Sequence, residues 1–303
     1  MRIAVLGAAA GGGFPQWNSN GRGCNRARAG DPQVRPRTQA GLAVSGDGSA
    51  WILINASPDL RQQIGQSPFL HPRNGPRDGL RSTPIAGVVL TGGDVDAIAG
   101  LLTLRERQAF DLYATQTVHD ILQANPVFEV LNRQFVQRRQ AELGRPMALT
   151  GGLAIELFAV PGKTPLYLET DDAPPIVEDG TTVGAAISAG GRRAYFIPGC
   201  AAMTPMLARR LDGADIVLFD GTLFADDEMV AGGLSPKTGR RMGHMSMSGP
   251  DGSMAAFEGL RVGRKIFVHI NNSNPVLMED SAEHARVVAA GWEVAYDGME
   301  IIL

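Results

Sequence analysis

Ile85-Ala86-Gly87-Val88-Val89-Leu90-Thr91-Gly92-Gly93-Asp94-Val95-Asp96 passes from a strand into a glycine turn and delivers two carboxylates there. Ile85–Thr91 is a short apolar, β-rich run, which predicts a strand. Gly92-Gly93 breaks it, and an apolar face at helical spacing predicts a helix over Ala97–Ala109. An aspartate ahead of a helix caps it well. One cap accounts for one aspartate; two acids at i and i+2 exceed what capping needs. Carboxylate oxygens joined by an imidazole suit Fe(II), Mn(II) or Zn(II) and lean away from a thiolate-type site. One histidine and carboxylates with open positions suit oxygen chemistry.

The same strand pattern recurs along the chain. Arg2–Ala8, Gly41–Ser45, Trp51–Ala56, Leu153–Val160, Thr182–Ser188, Arg193–Ile197, Asp215–Asp220, Lys265–Ile270 and Glu293–Tyr296 read as strands. Glu300–Leu303 is expected to close a last hairpin around Asp297-Gly298. Further helices are expected over Gln116–Gln123, Val127–Gln140, Pro205–Leu211 behind the Thr204 cap, and from Ser281 to Gly291. Two β-rich halves, each followed by helices, predict an α+β fold. Two mixed sheets would pack face to face with helices outside, as one unit over residues 1–303. Ala9–Arg37, Ser67–Thr83 and Pro161–Gly180 read as long loops, which in a compact domain are often lids or binding loops.

Composition excludes several classes. At 303 residues and 44% hydrophobic content, a sizeable core is feasible without cross-links. Lys+Arg total 28 against 31 Asp+Glu, a formal charge of -3, which is no signature of a nucleic-acid binder. The N-terminus carries one charge and a short apolar run, so it reads as a strand and not a signal peptide. No run has the length of a membrane span. Two cysteines, Cys24 and Cys200, fit a reducing compartment, and the expected location is the cytoplasm. Gly7–Gly13 matches neither the dinucleotide fingerprint nor the P-loop.

Of five histidines, His71, His119 and His284 read as surface residues. His269 ends the apolar strand Lys265–Ile270 and precedes Asn271-Asn272-Ser273-Asn274-Pro275, a polar cluster where α/β scaffolds place chemistry. A satisfied core histidine is the alternative. His244 follows Gly243 in a loop of low periodicity, and Asp220 ends a strand before Gly221-Thr222. Each has an ordinary reading, as loop histidine and turn acid. Arg22, Arg26, Arg28, Arg35 and Arg37 make the first long loop locally basic.

The order of these segments resembles the metallo-β-lactamase superfamily. Phe219–Thr222, Gly243–Ser246 and Phe267–Asn271 look most like its tRNA-maturing nuclease branch. A closer resemblance spans essentially the whole chain. Gly11-Gly12-Gly13-Phe14-Pro15-Gln16-Trp17-Asn18, Pro36–Gln39, Asn55–Asp59, Gly100–Glu106, Met242–His244 and His269–Pro275 look like the pyrroloquinoline quinone (PQQ) biosynthesis protein B family. The resemblance implies a metallo-β-lactamase-like αββα sandwich and a non-haem iron, oxygen-dependent hydroxylase acting on the tyrosine ring of a Glu/Tyr-derived peptide. Alternatives are a metal-dependent hydrolase of the precursor, and a carrier of PQQ or a late intermediate. A homodimer and other proteins of the pathway are the protein partners it allows; nucleic acid and membrane are not expected.

On this resemblance Asp94, Asp96 and His269 are expected to hold the metal, Fe(II) first and Zn(II) or Mn(II) as alternatives. His244 and Asp220 would form an acid/base pair, Asn271 would orient substrate or an oxygen ligand, and Arg37 would receive substrate carboxylates bidentately. Two departures matter. The superfamily signature His-x-His-x-Asp-His is here Gly92-Gly93-Asp94-Val95-Asp96-Ala97, which argues against the usual dizinc hydrolase. The family's Cys-x-Cys-x-x-Cys zinc site falls on Ser19, Gly21 and Cys24, so that structural zinc is expected to be absent. Cys200, where the superfamily often has a bridging acid, reads as a buried structural cysteine.

Overall fold

The computed structural model describes residues 1–73, 79–163 and 176–303. Parts of two predicted loops, at 74–78 and 164–175, lie outside the described residues. The strands are β1 (Arg2–Gly7), β2 (Gly41–Ser45), β3 (Trp51–Ile54), β4 (Ile85–Val89), β5 (Phe110–Ala114), β6 (Val136–Gln140) and β7 (Met147–Ala148). They continue as β8 (Ala154–Ala159), β9 (Val183–Ala189), β10 (Arg192–Ile197), β11 (Ile216–Asp220), β12 (Arg264–Val268), β13 (Trp292–Val294) and β14 (Glu300–Ile302). They form two seven-stranded sheets, ordered β14-β1-β2-β3-β4-β5-β6 and β13-β12-β11-β10-β9-β8-β7. Both are mixed. β3 to β6 run parallel in the first and β10 to β13 in the second, the remaining pairings being antiparallel.

The strands are apolar on both faces because both faces are covered. Side chains alternate across a strand. Ile52 and Ile54 therefore point into the layer between the sheets, where they share a core with Ile216, Leu218, Ile266 and Val268. Their neighbours Trp51 and Leu53 point outward, against Leu60, Ile98 and Val118 of the covering helices. On the second sheet Val217, Phe219 and Phe267 face outward against Phe257, Leu207 and Val287. No helix among the described residues is long and apolar enough to cross a membrane.

The parallel strands carry their C-terminal ends to one edge of the sandwich, where open α/β sheets place ligands. The two sheets are stitched together there. Ala10 N–H donates to Ile270 O at 2.9 Å and Ile270 N–H to Ala8 O at 2.9 Å, so the extension of β1 pairs with that of β12. Val183 N–H donates to Thr91 O at 3.1 Å, a second link across the layers.

Four expectations fail on tertiary grounds. The helix predicted over Ala97–Ala109 is one turn, Val95–Ile98, followed by 3-10 turns over Ala99–Leu104 and then β5. The segment predicted as helix Val127–Gln140 becomes a 3-10 turn and β6, whose Val136 registers on Phe110. Pairing along the sheet edge overrides the helical preference of its glutamines and arginines. The last hairpin does not form. β13 and β14 belong to different sheets, and Asp297-Gly298 carries the chain across the sandwich. His119, expected at the surface, is buried.

Candidate metal centre

A cavity of about 500 Å³ opens at this edge. Asp94, Asp96, His244, His269 and Asn271 line it, with Asp94 and Asp96 coming from the first sheet and the others from the second. Asp94 stands at the N-cap position of Val95–Ile98, yet its side chain makes no capping hydrogen bond. Asp96, in the first turn, reaches His269 instead, with Oδ2 at 3.0 Å from Nε2. Capping therefore accounts for neither carboxylate. His269 leaves β12 in the left-handed region at φ 58, a conformation that turns a β-strand residue sideways.

Beneath the cavity lies a fully buried acid. Asp220 accepts from the backbone N–H of Cys200 at 2.8 Å and of Thr222 at 3.0 Å. It also accepts from the Thr222 hydroxyl at 2.7 Å and pairs with His244 Nδ1 at 2.7 Å. Asp220, His244 and His269 present ligand-type atoms within 4.8 Å of one another. The space between them is taken, however, by Thr222 Oγ1, which is 3.1 Å from His244 Nδ1 and 2.9 Å from His269 Nδ1.

This arrangement fixes tautomers. A hydroxyl has one proton, and the shortest, charge-assisted contact of Thr222 takes it to Asp220. Thr222 Oγ1 then accepts from Nδ1–H of His269, which leaves Nε2 of His269 with a bare lone pair facing a carboxylate oxygen at 3.0 Å. Two acceptors do not face each other at that distance without a cation between them. A proton or a metal satisfies the pair, and two donors roughly 2.1 Å from one ion at right angles stand about 3.0 Å apart. The donor set fits a divalent ion of the nitrogen/oxygen type. Burial acts to lower the His269 pKa, but Asp96, by hydrogen bond and charge, outweighs it and the net direction is up. Burial acts to raise Asp96, and His269 outweighs it, holding the carboxyl below its ordinary range. Burial likewise acts to raise Asp220, which the charge of His244 holds down.

His244, with Nδ1 engaged by Asp220, keeps Nε2 as its remaining ring nitrogen on the cavity. Its ring stacks on that of His269, centroids 5.4 Å apart. Asn271 is held by its backbone N–H on Thr222 O and by its side chain on Ser273 Oγ at 2.6 Å. Cys200 is buried, and burial, then Asp220, pushes its thiol up to about 12, so it stays protonated.

Arg37 is a correction. It is buried away from this cavity, and it donates from Nε to Ala295 O and from Nη1 to Arg35 O, both at 2.9 Å. Its guanidinium pins the first loop to the end of β13. Other parts of that loop are tied by Arg26 to Asp31 and Asp280 at 2.7 and 2.8 Å, and Cys24 is buried beneath it. The cavity also holds Thr222, Lys163 and Lys237, to which the sequence assigned no role. Thr222 was legible as a hydroxyl two positions past a strand-end acid; nothing local marks the lysines.

A family model of the β-lactamase superfamily domain matches residues 50–270, and the chain belongs to that superfamily. Within it, the chain is a member of the coenzyme PQQ synthesis protein B family. It is 60% identical to coenzyme PQQ synthesis protein B of Gluconacetobacter diazotrophicus, covering 99% of this chain and 98% of that one. It is 51% identical to Zn(2+)-bound PqqB from Methylobacterium extorquens, whose crystal structure superposes with a TM-score of 0.96 over 100% of both chains. A diphosphatase of the PhnP family, 20% identical over 99% of this chain and 97% of that one, has a TM-score of 0.69 and shares the fold.

Proposed function

We propose that this chain works in PQQ biosynthesis, in the cytoplasm, as a non-haem iron, oxygen-dependent hydroxylase of the tyrosine ring in a Glu/Tyr-derived peptide. One observation carries the reading: His269 Nε2 and Asp96 Oδ2 converge at 3.0 Å while His269 Nδ1 is committed to Thr222. Asp94 lines the same cavity and would add a second carboxylate to the one imidazole and one carboxylate already in contact. The relatives named for PQQ synthesis support the pathway, and two buried free cysteines suit a reducing compartment.

Fe(II), when bound, supplies the electron-transfer chemistry that lets dioxygen react with an aromatic ring. In the overall balance one oxygen atom enters the ring and the other leaves as water, with two electrons from an added reductant. His244 accepts the proton of the phenol at Nε2, and Asp220 stabilises the imidazolium that results. Asn271, its amide held by Ser273, orients the substrate beside His269. The same donors accept Zn(II) or Mn(II), which occupy the site without supplying that chemistry equally.

The test is an anaerobic Fe(II) reconstitution, followed by Glu-Tyr dipeptide, ascorbate and oxygen. The expected result is a product heavier by one oxygen atom, absent without oxygen. An unaltered dipeptide with iron still bound would overturn the reading. A cleaved peptide bond formed equally without oxygen would make the protein a hydrolase. Tight binding of PQQ with no metal requirement and no turnover would make it a carrier. His269→Ala should lose stoichiometric iron; if iron is retained, His269 is not a ligand.

A further inference from the structure

We propose that Glu228 is a positioning residue of this cavity: through the Ser273 hydroxyl it fixes the Asn271 side chain so that the amide oxygen, and not its NH2, faces the bound molecule. That the cavity is the active site rests on the reading above; the chain of hydrogen bonds does not.

Asn271 stands two residues after His269, and its backbone is pinned on both sides. Its N–H donates to Thr222 O at 3.0 Å and its carbonyl accepts from Asn274 N–H at 3.0 Å. What remains open is which end of the side-chain amide points where. The oxygen and the NH2 have nearly the same shape, so packing does not choose between them and hydrogen-bond partners do. Met229 and Asn271 line the cavity, with Ser273 and Glu228 next to them.

Asn271 Nδ2 lies 2.6 Å from Ser273 Oγ and 3.2 Å from Met229 Sδ. A thioether has no proton, so Met229 only accepts. Ser273 has one proton, and Glu228 Oε1 takes it at 2.5 Å in a charge-assisted bond. The other Glu228 oxygen accepts from Phe224 N–H at 2.8 Å, which holds the carboxylate against Ser273. Ser273 is thereby left as an acceptor toward Asn271. Two acceptors at this end use both N–H groups of the amide. A flipped amide would set its oxygen against the sulfur and would break the Ser273–Glu228 bond to find a donor. A third contact agrees, since Asn272 Nδ2 donates to Asn271 Oδ1 at 3.3 Å.

The carbonyl oxygen is then what Asn271 offers the cavity. It receives an O–H or N–H of the bound molecule and turns away groups that only accept. Glu228 belongs to the one-turn helix Glu228–Ala231, so the polarity of the wall beside His269 is set from an element outside the strand ends. Glu228→Gln has one acceptor where Ser273 and Phe224 N–H need two, so one of those contacts is lost.

The experiment is NMR of the full Zn(II)-loaded chain, with nitrogen-15 in the asparagine side chains and carbon-13 in the methionine methyls. Asn271→Ala identifies the Asn271 signal by subtraction. In the wild type both amide protons of Asn271 should show cross-peaks to the Met229 methyl. Glu228→Gln and Ser273→Ala should each speed their exchange with solvent about tenfold, as for a lost hydrogen bond, and Ser273→Thr should restore it. Asn274, whose amide donates to Gly221 O at 3.0 Å, is the internal control and should not change. Ser273→Ala leaves Glu228 in place, and the wild-type cross-peaks need no variant, so a misfolded Glu228→Gln does not remove the test. The proposal is overturned if the wild-type cross-peaks run to the His269 ring instead of Met229. It is equally overturned if Glu228→Gln and Ser273→Ala leave exchange within about twofold of wild type, or if Asn274 accelerates equally, which would make the chain a general support of the loop. Neither iron, oxygen nor turnover enters, so an unaltered dipeptide does not touch this result, and its failure does not touch the hydroxylase reading.

Discussion

Thr222 Oγ1 lies 2.9 Å from His269 Nδ1 and, by accepting that proton, turns the other ring nitrogen toward Asp96. Thr222→Val keeps the shape and removes the acceptor. Metal affinity should fall by about 10–100-fold, as for partners that orient a ligating histidine, and Thr222→Ser should restore it. Competition with a chromophoric chelator reads the constant directly. Equal affinity in Thr222→Val would remove the hydroxyl from the metal site.

Asp220 serves His244 in a comparable way. Asp220→Asn places an amide where four protein contacts point to a carboxylate. Turnover should drop about 10²-fold or more, the usual scale of lost acid/base catalysis, with bound iron retained. Loss of iron alongside turnover would place Asp220 among the ligands instead.

Gly100 tests how the carboxylate-bearing turn is seated. A Cβ there would lie 2.0 Å from Ser57 O and 2.8 Å from Ala56 O, so the segment following Asp96 packs directly on the end of β3. Gly100→Ala should cost at least about 2 kcal/mol by overpacking, lowering Tm by roughly 4 °C or more. It should also weaken metal binding. An unchanged melting curve would contradict that packing.

His119 predicts an acid limb of stability. Its Nε2 contacts Arg139 O at 3.0 Å and its buried Nδ1 has no partner. Burial first, opposed by that contact, pushes the imidazole below its ordinary value. The unfolded chain then binds the proton that the native state refuses. Stability is therefore full above about pH 6.5 and falls as pH drops below it, by no more than about 1.4 kcal/mol per pH unit. In urea melts, His119→Gln should flatten that limb while keeping a donor for Arg139 O. An unaltered limb would assign the acid loss to other groups.

Much of the fold was legible because strands buried on both faces are continuous apolar runs, and those runs lie close to the observed bounds of β2, β3, β4 and β11. β6 was not, since Val136–Gln140 is an edge strand with one buried residue and its identity depends on β5 lying alongside. At the site, the residues at strand ends could be found from order and spacing. Arg37 misled because a guanidinium in a basic loop looks the same in sequence whether it faces a ligand or a backbone carbonyl. Lys163 and Lys237 are separated from the strand ends by loop and could be recognised only when the loops closed over the cavity.

Because Asp94 and Asp96 follow β4 of one sheet and His269 follows β12 of the other, an ion held between them, as proposed, would act as a rivet through the two halves. Its occupancy would then report on the whole sandwich. Each tenfold excess of free metal over its dissociation constant adds about 1.4 kcal/mol to the cost of prying the layers apart. Stripping the ion would then make the whole chain easier to unfold, and not one layer of it alone.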